Sequence, residues 1–402
     1  MDEFYRISRL PPYVFAEVNK IKAAHRATGR DIIDLGMGNP DTAPPKHVIE
    51  KLREVALDET AHGYSVSRGI TGLRKAQAGY YQRRFGVKLD PDSEIITTIG
   101  SKEGLANFVQ AITAPGDVIV TANPCYPIHA YGPIISGASV RYLPMVEGAD
   151  FFELLERAFK NQTPKPVAVI VNYPGNPTAE TVDLAFYERL VAMCKSYGVY
   201  IISDLAYCEI YFDNNPPPSI LQVEGAMDIA IEFTSLSKTY SMAGWRVGFA
   251  AGNKKLIHAL TRIKSYLDYG TFTPIQAAAT AAINGPQTYV DEMRALYKER
   301  RDVIVSGLHA AGWMVQNPAA SMFIWAKLPE QYKEIGSFEF SKLLLDQAEV
   351  AVAPGIGFGE YGDTHVRIAL VENKQRLRQA VRNIKAFMAK DAEILKKQLR
   401  AA

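Results

Sequence analysis

From about residue 95, apolar β-branched runs alternate with stretches of helical period. Glu94-Ile95-Ile96-Thr97-Thr98-Ile99 reads as a strand, followed by Gly100 and a helix from Ser101 to about Ile112. Asp117–Val120, Val167–Val171 and Val199–Ile202 read as further strands, with a helix over Leu184–Tyr197. Ile229–Ser235 and Val247–Ala251 follow as candidates. Runs that are apolar on both faces and separated by helices predict a mainly parallel sheet flanked by helices on both sides.

The pattern changes on either side of this region. The first 35 residues mix helix and loop, and Leu10-Pro11-Pro12-Tyr13 holds an extended segment. Asp34-Leu35-Gly36-Met37-Gly38-Asn39-Pro40-Asp41 is rich in turn residues and reads as a loop. After about 285 comes a long helical stretch, Gln287 to His309, then short strands at Met322–Lys327 and His365–Leu370. A terminal helix runs from Lys374 to Gln398, with a basic face that ordinary solvation accounts for. The expectation is an α/β protein of two domains. Residues 45–285 form a large domain; residues 1–44 and 286–402 form a smaller α+β domain with an N-terminal arm. A chain of 402 residues is long enough for both.

Composition narrows the function. Hydrophobic residues make up 48% and charged residues 22%, values of a globular protein with a sizeable core. Net charge is +2, which argues against nucleic acid or an acidic membrane face as partner. The opening Met-Asp-Glu-Phe-Tyr-Arg has no apolar core of a secretory signal, and no run approaches a membrane span. Cys125, Cys194 and Cys208 have no CxxC spacing and read as buried or partly buried free thiols in a reducing compartment. A cytoplasmic protein is expected.

Familiar cofactor and hydrolase signatures are absent: no P-loop, no HExxH, no GxSxG and no metal-ligand spacing. Gly36-Met37-Gly38 is followed by Asp41 where a dinucleotide fingerprint needs glycine. Polar residues collect instead at the carboxyl ends of the predicted strands, where open α/β sheets bind ligands. Those ends read Gly100-Ser101-Lys102, Asn172-Tyr173-Pro174-Gly175-Asn176-Pro177-Thr178, Ser203-Asp204-Leu205-Ala206-Tyr207 and Ser235-Leu236-Ser237-Lys238, with Arg246 eight residues on. Gly100-Ser101-Lys102 opens a helix, so its backbone N–H groups suit an anion. Lys238 follows an apolar strand and has Arg246 nearby in sequence, two conditions that favour a neutral amine. Arg367, flanked by apolar residues in His365-Val366-Arg367-Ile368-Ala369, needs a partner, either a ligand or a structural ion pair.

In order and spacing these segments resemble the class I and II aminotransferases of fold type I, which depend on pyridoxal 5'-phosphate. The most specific piece is Ser235-Leu236-Ser237-Lys238-Thr239-Tyr240, continued by Met242-Ala243-Gly244-Trp245-Arg246 and Gly248. The resemblance covers the chain from Tyr13 to Arg367. More narrowly, Gly36–Asp41 and Lys264-Ser265-Tyr266-Leu267-Asp268-Tyr269-Gly270-Thr271-Phe272-Thr273-Pro274 look like the bacterial alanine (glutamate–pyruvate) transaminases, relatives of the diaminopimelate aminotransferases. Leu267 departs from the polar residue expected there, which leaves fine specificity open.

The resemblance implies a role for each position. Lys238 would form the Schiff base with the cofactor and then act as general base. Asp204 would pair with the pyridine nitrogen; Ser203-Asp204 would also serve as a turn cap. Asn176 and Tyr207 would donate to the phenolic oxygen. Ser101, the backbone of Lys102, Ser235, Ser237 and Arg246 would hold the phosphate, and Tyr126 would stack on the ring. Arg367 would take the substrate's α-carboxylate, with Gly38 and Asn39 closing over it and Tyr13 lining the pocket. Tyr64 would reach the phosphate of a neighbouring subunit, which implies a homodimer with active sites at the interface.

The expected activity is transfer of an amino group, from alanine in the narrower reading, to 2-oxoglutarate or pyruvate by a ping-pong mechanism. Aspartate, methionine or broad-specificity aminotransferases and a C–S lyase on the same fold are the alternatives. A cofactor-binding regulator needs a winged-helix domain ahead of Tyr13, for which this sequence has no room.

Overall fold

The structure is a computed structural model describing residues 4–12 and 14–401, Tyr5 and residues 391–401 by backbone alone. Among the described residues, seven strands form the main sheet: β1 Ile95–Thr98, β2 Val118–Asn123, β3 Ser139–Pro144, β4 Ala168–Asn172, β5 Tyr200–Asp204, β6 Ala230–Ser235 and β7 Gly248–Gly252. Their spatial order is β1-β7-β6-β5-β4-β2-β3. Strands β3, β2, β4, β5 and β6 pair in parallel. Helices cover both faces, and the apolar side chains of the central strands are buried. The fold is α/β with a mostly parallel central sheet, as the apolar runs predict.

Two features of the main sheet differ from the sequence reading. Strand β7 is antiparallel to both β6 and β1. The connection from β6 to β7, residues 236–247, holds only a one-turn helix and a 3-10 turn. Neither is long enough to serve as the crossover helix that usually returns a chain to the start of a parallel strand. Two antiparallel pairings in succession leave β1 running with β6, so its carboxyl end reaches the same edge. The second difference is β3, an edge strand the pattern misses. Its residues Ser139-Val140-Arg141-Tyr142-Leu143-Pro144 are largely solvated, so burial leaves no continuous apolar run.

The carboxy-terminal part carries a second sheet: β8 Phe323–Lys327, β9 Ala353–Pro354 and β10 His365–Ala369, in the order β9-β10-β8, all antiparallel. The helices Thr288–Ala310, Gly336–Ala348 and Lys374–Ala401 pack around a separate apolar core that includes Trp313, Phe323, Phe340 and Leu377. Ile33–Asp34, read from sequence as loop, pairs in parallel with Val350–Ala351 and ties the amino-terminal segment to this layer. No described helix is long and apolar enough to cross a membrane. Cys125, Cys194 and Cys208 are free and buried.

Candidate active site

A cavity of about 600 Å³ lies where the carboxyl ends of the sheet face the second layer. That volume suits a small-molecule site. Of the residues singled out from sequence, Gly38, Asn39, Ser101, Lys102, Tyr126, Asn176, Asp204, Tyr207, Ser235, Ser237, Lys238, Arg246 and Arg367 line it. Tyr64 does not. It is 88% exposed on the outside of the chain, its ring 4.6 Å from that of Tyr269. Tyr13 lies outside the described residues.

Strand register explains one group of residues. Asn172 ends β4 opposite Asp204, which ends β5, and Asn172 Nδ2 donates to the Asp204 carbonyl over 2.8 Å. Asn172 Oδ1 accepts from the Asn176 backbone N–H at 2.9 Å, which folds the Pro174–Pro177 turn back over the cavity. Asp204 is buried, and its Oδ2 lies 2.9 Å from Nε2 of buried His129 in the helix Pro127–Ser136. Asn176 Nδ2 donates to the Tyr207 hydroxyl at 3.4 Å. Burial pushes that hydroxyl well above the usual tyrosine range, so it stays protonated and can donate.

The anion cradle is assembled from β1, β6 and β7. Gly100 has φ 82°, a left-handed conformation that turns the chain from β1 into the helix Ser101–Ile112. A Cβ on Gly100 would collide with the Arg246 guanidinium. A Cβ on Gly248 would lie 2.8 Å from the Thr234 carbonyl and 2.9 Å from the Ser101 N. Both glycines therefore let backbone and guanidinium crowd against the helix N-terminus. Arg246, itself at φ 55°, donates to the Ala243 carbonyl at 2.9 Å, which steers its fork. Ser235 Oγ accepts from the Ser237 backbone N–H at 3.1 Å. The set presents backbone N–H groups, two hydroxyls and a guanidinium, the donors a phosphate takes.

Lys238 stands in the one-turn helix Leu236–Thr239, and its Nζ donates to the Gly38 carbonyl at 2.6 Å. Burial, then the charges of Arg367 and Arg246, lower its pKa to about 8. Arg367 donates through Nη1 to Asn176 Oδ1 at 2.7 Å and through Nη2 to the Gly36 carbonyl at 2.9 Å. Its guanidinium carbon lies 4.1 Å from the centre of the Phe323 ring and 4.7 Å from that of Phe358. In these contacts neutral oxygens and ring faces meet the cation.

Sequence reasoning missed His129, Phe15, Phe323 and Phe358. His129 carried a faint signal, a histidine in the first turn of a helix opened by Pro127. The three phenylalanines carried none, because an aromatic on a cavity wall reads like any core aromatic until the fold sets what it faces.

The comparisons follow this geometry. The profile of the family "Aminotransferase class I and II" matches residues 30–384. The chain therefore belongs to the class I and II aminotransferases, whose members depend on pyridoxal phosphate. It is an amino-acid aminotransferase. The glutamate-pyruvate aminotransferase AlaC of Escherichia coli (strain K12) is 57% identical over 388 residues, covering 96% of this chain and 94% of AlaC. The LL-diaminopimelate aminotransferase of Natranaerobius thermophilus is 42% identical over 96% of this chain and 99% of its own. The crystal structure of the aspartate aminotransferase of Rhizobium meliloti superposes with a TM-score of 0.88 at 28% identity, over 97% of this chain and 99% of that one.

Proposed function

We propose that this chain binds pyridoxal 5'-phosphate in the cavity and uses it to move an amino group from alanine to a 2-oxo acid. The observation that carries the reading is the convergence of Lys238, Asp204, Asn176, Arg246 and Arg367 on one space. The donor set matches the cofactor: a phosphate cradle at Gly100–Ser101, Ser235, Ser237 and Arg246, a buried carboxylate at Asp204, and an amine of lowered pKa at Lys238.

When bound, pyridoxal phosphate supplies an electrophilic carbonyl carbon and a ring that takes up the electron pair freed at the substrate's Cα. The chain supplies the rest. Asp204, whose carboxylate is held by His129 and whose backbone carbonyl is held by Asn172, would keep a proton on the ring nitrogen. Asn176 and Tyr207 would donate to the phenolic oxygen, and Tyr126 would stack on the ring. Arg367 grips the α-carboxylate with a two-pronged contact, and Asn39 and Gly38 lie beside it. Lys238, whose pKa of about 8 leaves a share of the amine neutral near neutral pH, would act as the general base that takes the proton from the substrate's Cα and returns it.

Alanine as donor with 2-oxoglutarate as acceptor, and in reverse glutamate with pyruvate, is supported by the likeness to AlaC. It is also supported by apolar walls around Arg367 from Phe15, Met37, Phe323 and Phe358, which suit a methyl side chain. A symmetric dimer with Tyr64 reaching the partner's phosphate is supported by the exposed cluster of Tyr64, Val66, Tyr266 and Tyr269. Residues 45–285 then form the cofactor domain, and residues 1–44 with 286–402 the domain that closes on it.

Pairwise assays test the reading. The purified protein loaded with pyridoxal phosphate is given alanine, aspartate, methionine or phenylalanine with 2-oxoglutarate. Fastest glutamate formation with alanine is the expected result. Faster turnover of another donor overturns the alanine assignment. Pyruvate and ammonia from cystathionine, with no glutamate from any donor, would overturn the proposed transfer.

A further inference from the structure

The Asp34–Asp41 segment runs along the cavity as a strap, with Met37, Gly38 and Asn39 in its wall, and two carbonyls on it face two of the site's cations. Gly36 O accepts from Arg367 and Gly38 O accepts from Lys238. Gly38 also lies so close to Phe323 that a Cβ there would come within 2.5 Å of the ring. The strap therefore has little room, and something must hold it in register with the strand that carries Arg367.

Its first end is tied down by Asp34. Lys22 Nζ donates to Asp34 Oδ2 at 2.5 Å, and Asp34 Oδ1 accepts from the Gly36 N–H at 3.1 Å. Its other end meets Arg300, on the helix Thr288–Ala310. Arg300 Nη1 and Nη2 donate to the two oxygens of Asp41, each at 2.7 Å. Nη1 donates as well to the Leu370 carbonyl at 3.0 Å, immediately after β10 and three residues from Arg367. Arg300 is only 4% exposed, so the guanidinium end of the fork is held out of water, while the Asp41 side chain is about a third exposed. One buried guanidinium thus joins the strap to the strand bearing the carboxylate-binding arginine.

We infer that Arg300 and Asp41 are positioning residues for substrate binding: their ion pair fixes the distance between the strap and Arg367, and with it the fit of the substrate's α-carboxylate. Neither residue lines the cavity, so they act through Gly36, Gly38 and Arg367. The inference rests on Arg367 being the carboxylate anchor. Loosening the pair weakens every amino acid and oxo acid alike, because all share that carboxylate, and leaves the phosphate cradle on the opposite side unaltered.

The test compares Asp41→Asn, Arg300→Lys and Arg300→Met with the wild type, as holoenzymes, for KM, kcat and the dissociation constant of pyridoxal phosphate. Arg367→Lys is run beside them. Misplacement of about an ångström can cost a hundredfold in rate, so KM should rise roughly ten- to a hundredfold for alanine and for 2-oxoglutarate together. Cofactor affinity should stay within about twofold. Arg300→Lys, which keeps the charge and loses the fork, should recover only part of the loss, and Asp41→Asn with Arg300→Met combined should be no worse than the more damaging single change. Asp41→Asn is close to isosteric and the side chain is about a third exposed, so it carries the test should Arg300→Met fail to fold. Unchanged KM in Asp41→Asn, or loss of cofactor in step with loss of activity, overturns the inference. If Arg367→Lys itself leaves KM unchanged, the assignment of the carboxylate anchor fails instead.

Discussion

His129 Nε2 lies 2.9 Å from Asp204 Oδ2, and both side chains are buried. The contact ties the end of β5 to the first turn of the helix Pro127–Ser136, one helix turn beyond Tyr126. In the proposed site this orients the carboxylate that faces the cofactor ring nitrogen. A carboxylate free to rotate would hold that nitrogen's proton less well.

Removing the histidine should therefore weaken both binding and turnover. A hydrogen bond to a charged group is worth about 1.5–3 kcal/mol, so His129→Leu should lower cofactor affinity and kcat by roughly ten- to a hundredfold. Equilibrium dialysis of pyridoxal phosphate and steady-state rates measure the two. Wild-type values for both would show that Asp204 needs no such support.

Lys238→Ala should bind cofactor and lose turnover. General-base contributions run at about 10²–10⁴-fold, and kcat with alanine should fall by at least that. Retained activity in this variant removes the centre of the proposed mechanism.

The lysine's titration has a definite sign. Burial, Arg367 and Arg246 lower its pKa to about 8 from an ordinary 10.5. The neutral, reactive amine should thus emerge around pH 8 in protein stripped of cofactor, measured as the pH dependence of labelling by an amine-directed reagent. Arg367→Met removes one nearby cation and should move that midpoint upward. Stability follows the same group. Between about 8 and 10.5 the unfolded chain holds a proton that the folded chain has released, so the stripped protein should gain stability as pH rises through that window.

Gly100→Ala should damage the phosphate cradle alone. The new Cβ collides with Arg246 and sits on a backbone at φ 82°. Strain of about 1–3 kcal/mol and a displaced guanidinium should lower cofactor affinity at least tenfold. KM for alanine, measured at saturating cofactor, should change little. A rise in KM with cofactor affinity intact would place the anion elsewhere.

Tyr64→Phe tests the subunit interface. The residue is exposed on the isolated chain and does not line its own cavity. If the partner's phosphate receives its hydroxyl, the variant should remain dimeric by light scattering and bind cofactor several-fold more weakly. Wild-type affinity in a stable dimer would assign Tyr64 to packing only.

Much of the sheet was readable because its strands other than β3, the edge strand β1 included, are buried on both faces. Ile95-Ile96, Val118-Ile119-Val120, Val169-Ile170-Val171 and Ile201-Ile202 leave long apolar runs for that reason. Edge strand β3, half in solvent, leaves none. The direction of β7 was not readable either, since an apolar run is the same in both directions and only the short connection after Lys238 decides it.

The same division holds for the site. Residue types and their order along the chain, through the family resemblance they carry, pointed to Lys238, Asp204, Asn176, Arg246 and Arg367 as one set, and the structure brings all five to one cavity. For Lys238, Asp204, Asn176 and Arg246 the signal is local, because each sits at or near a strand end with its own backbone requirements; Arg367 lies within β10 and shows only as a cation among apolar neighbours. What only the tertiary structure decided is which groups from distant elements meet: His129 behind Asp204, Phe323 and Phe358 under Arg367, and Arg300 across to Asp41 over a sequence distance of 259 residues. Those contacts depend on how helices and sheets pack, and a histidine, a phenylalanine or an arginine gives no local sign of the partner that packing will bring to it.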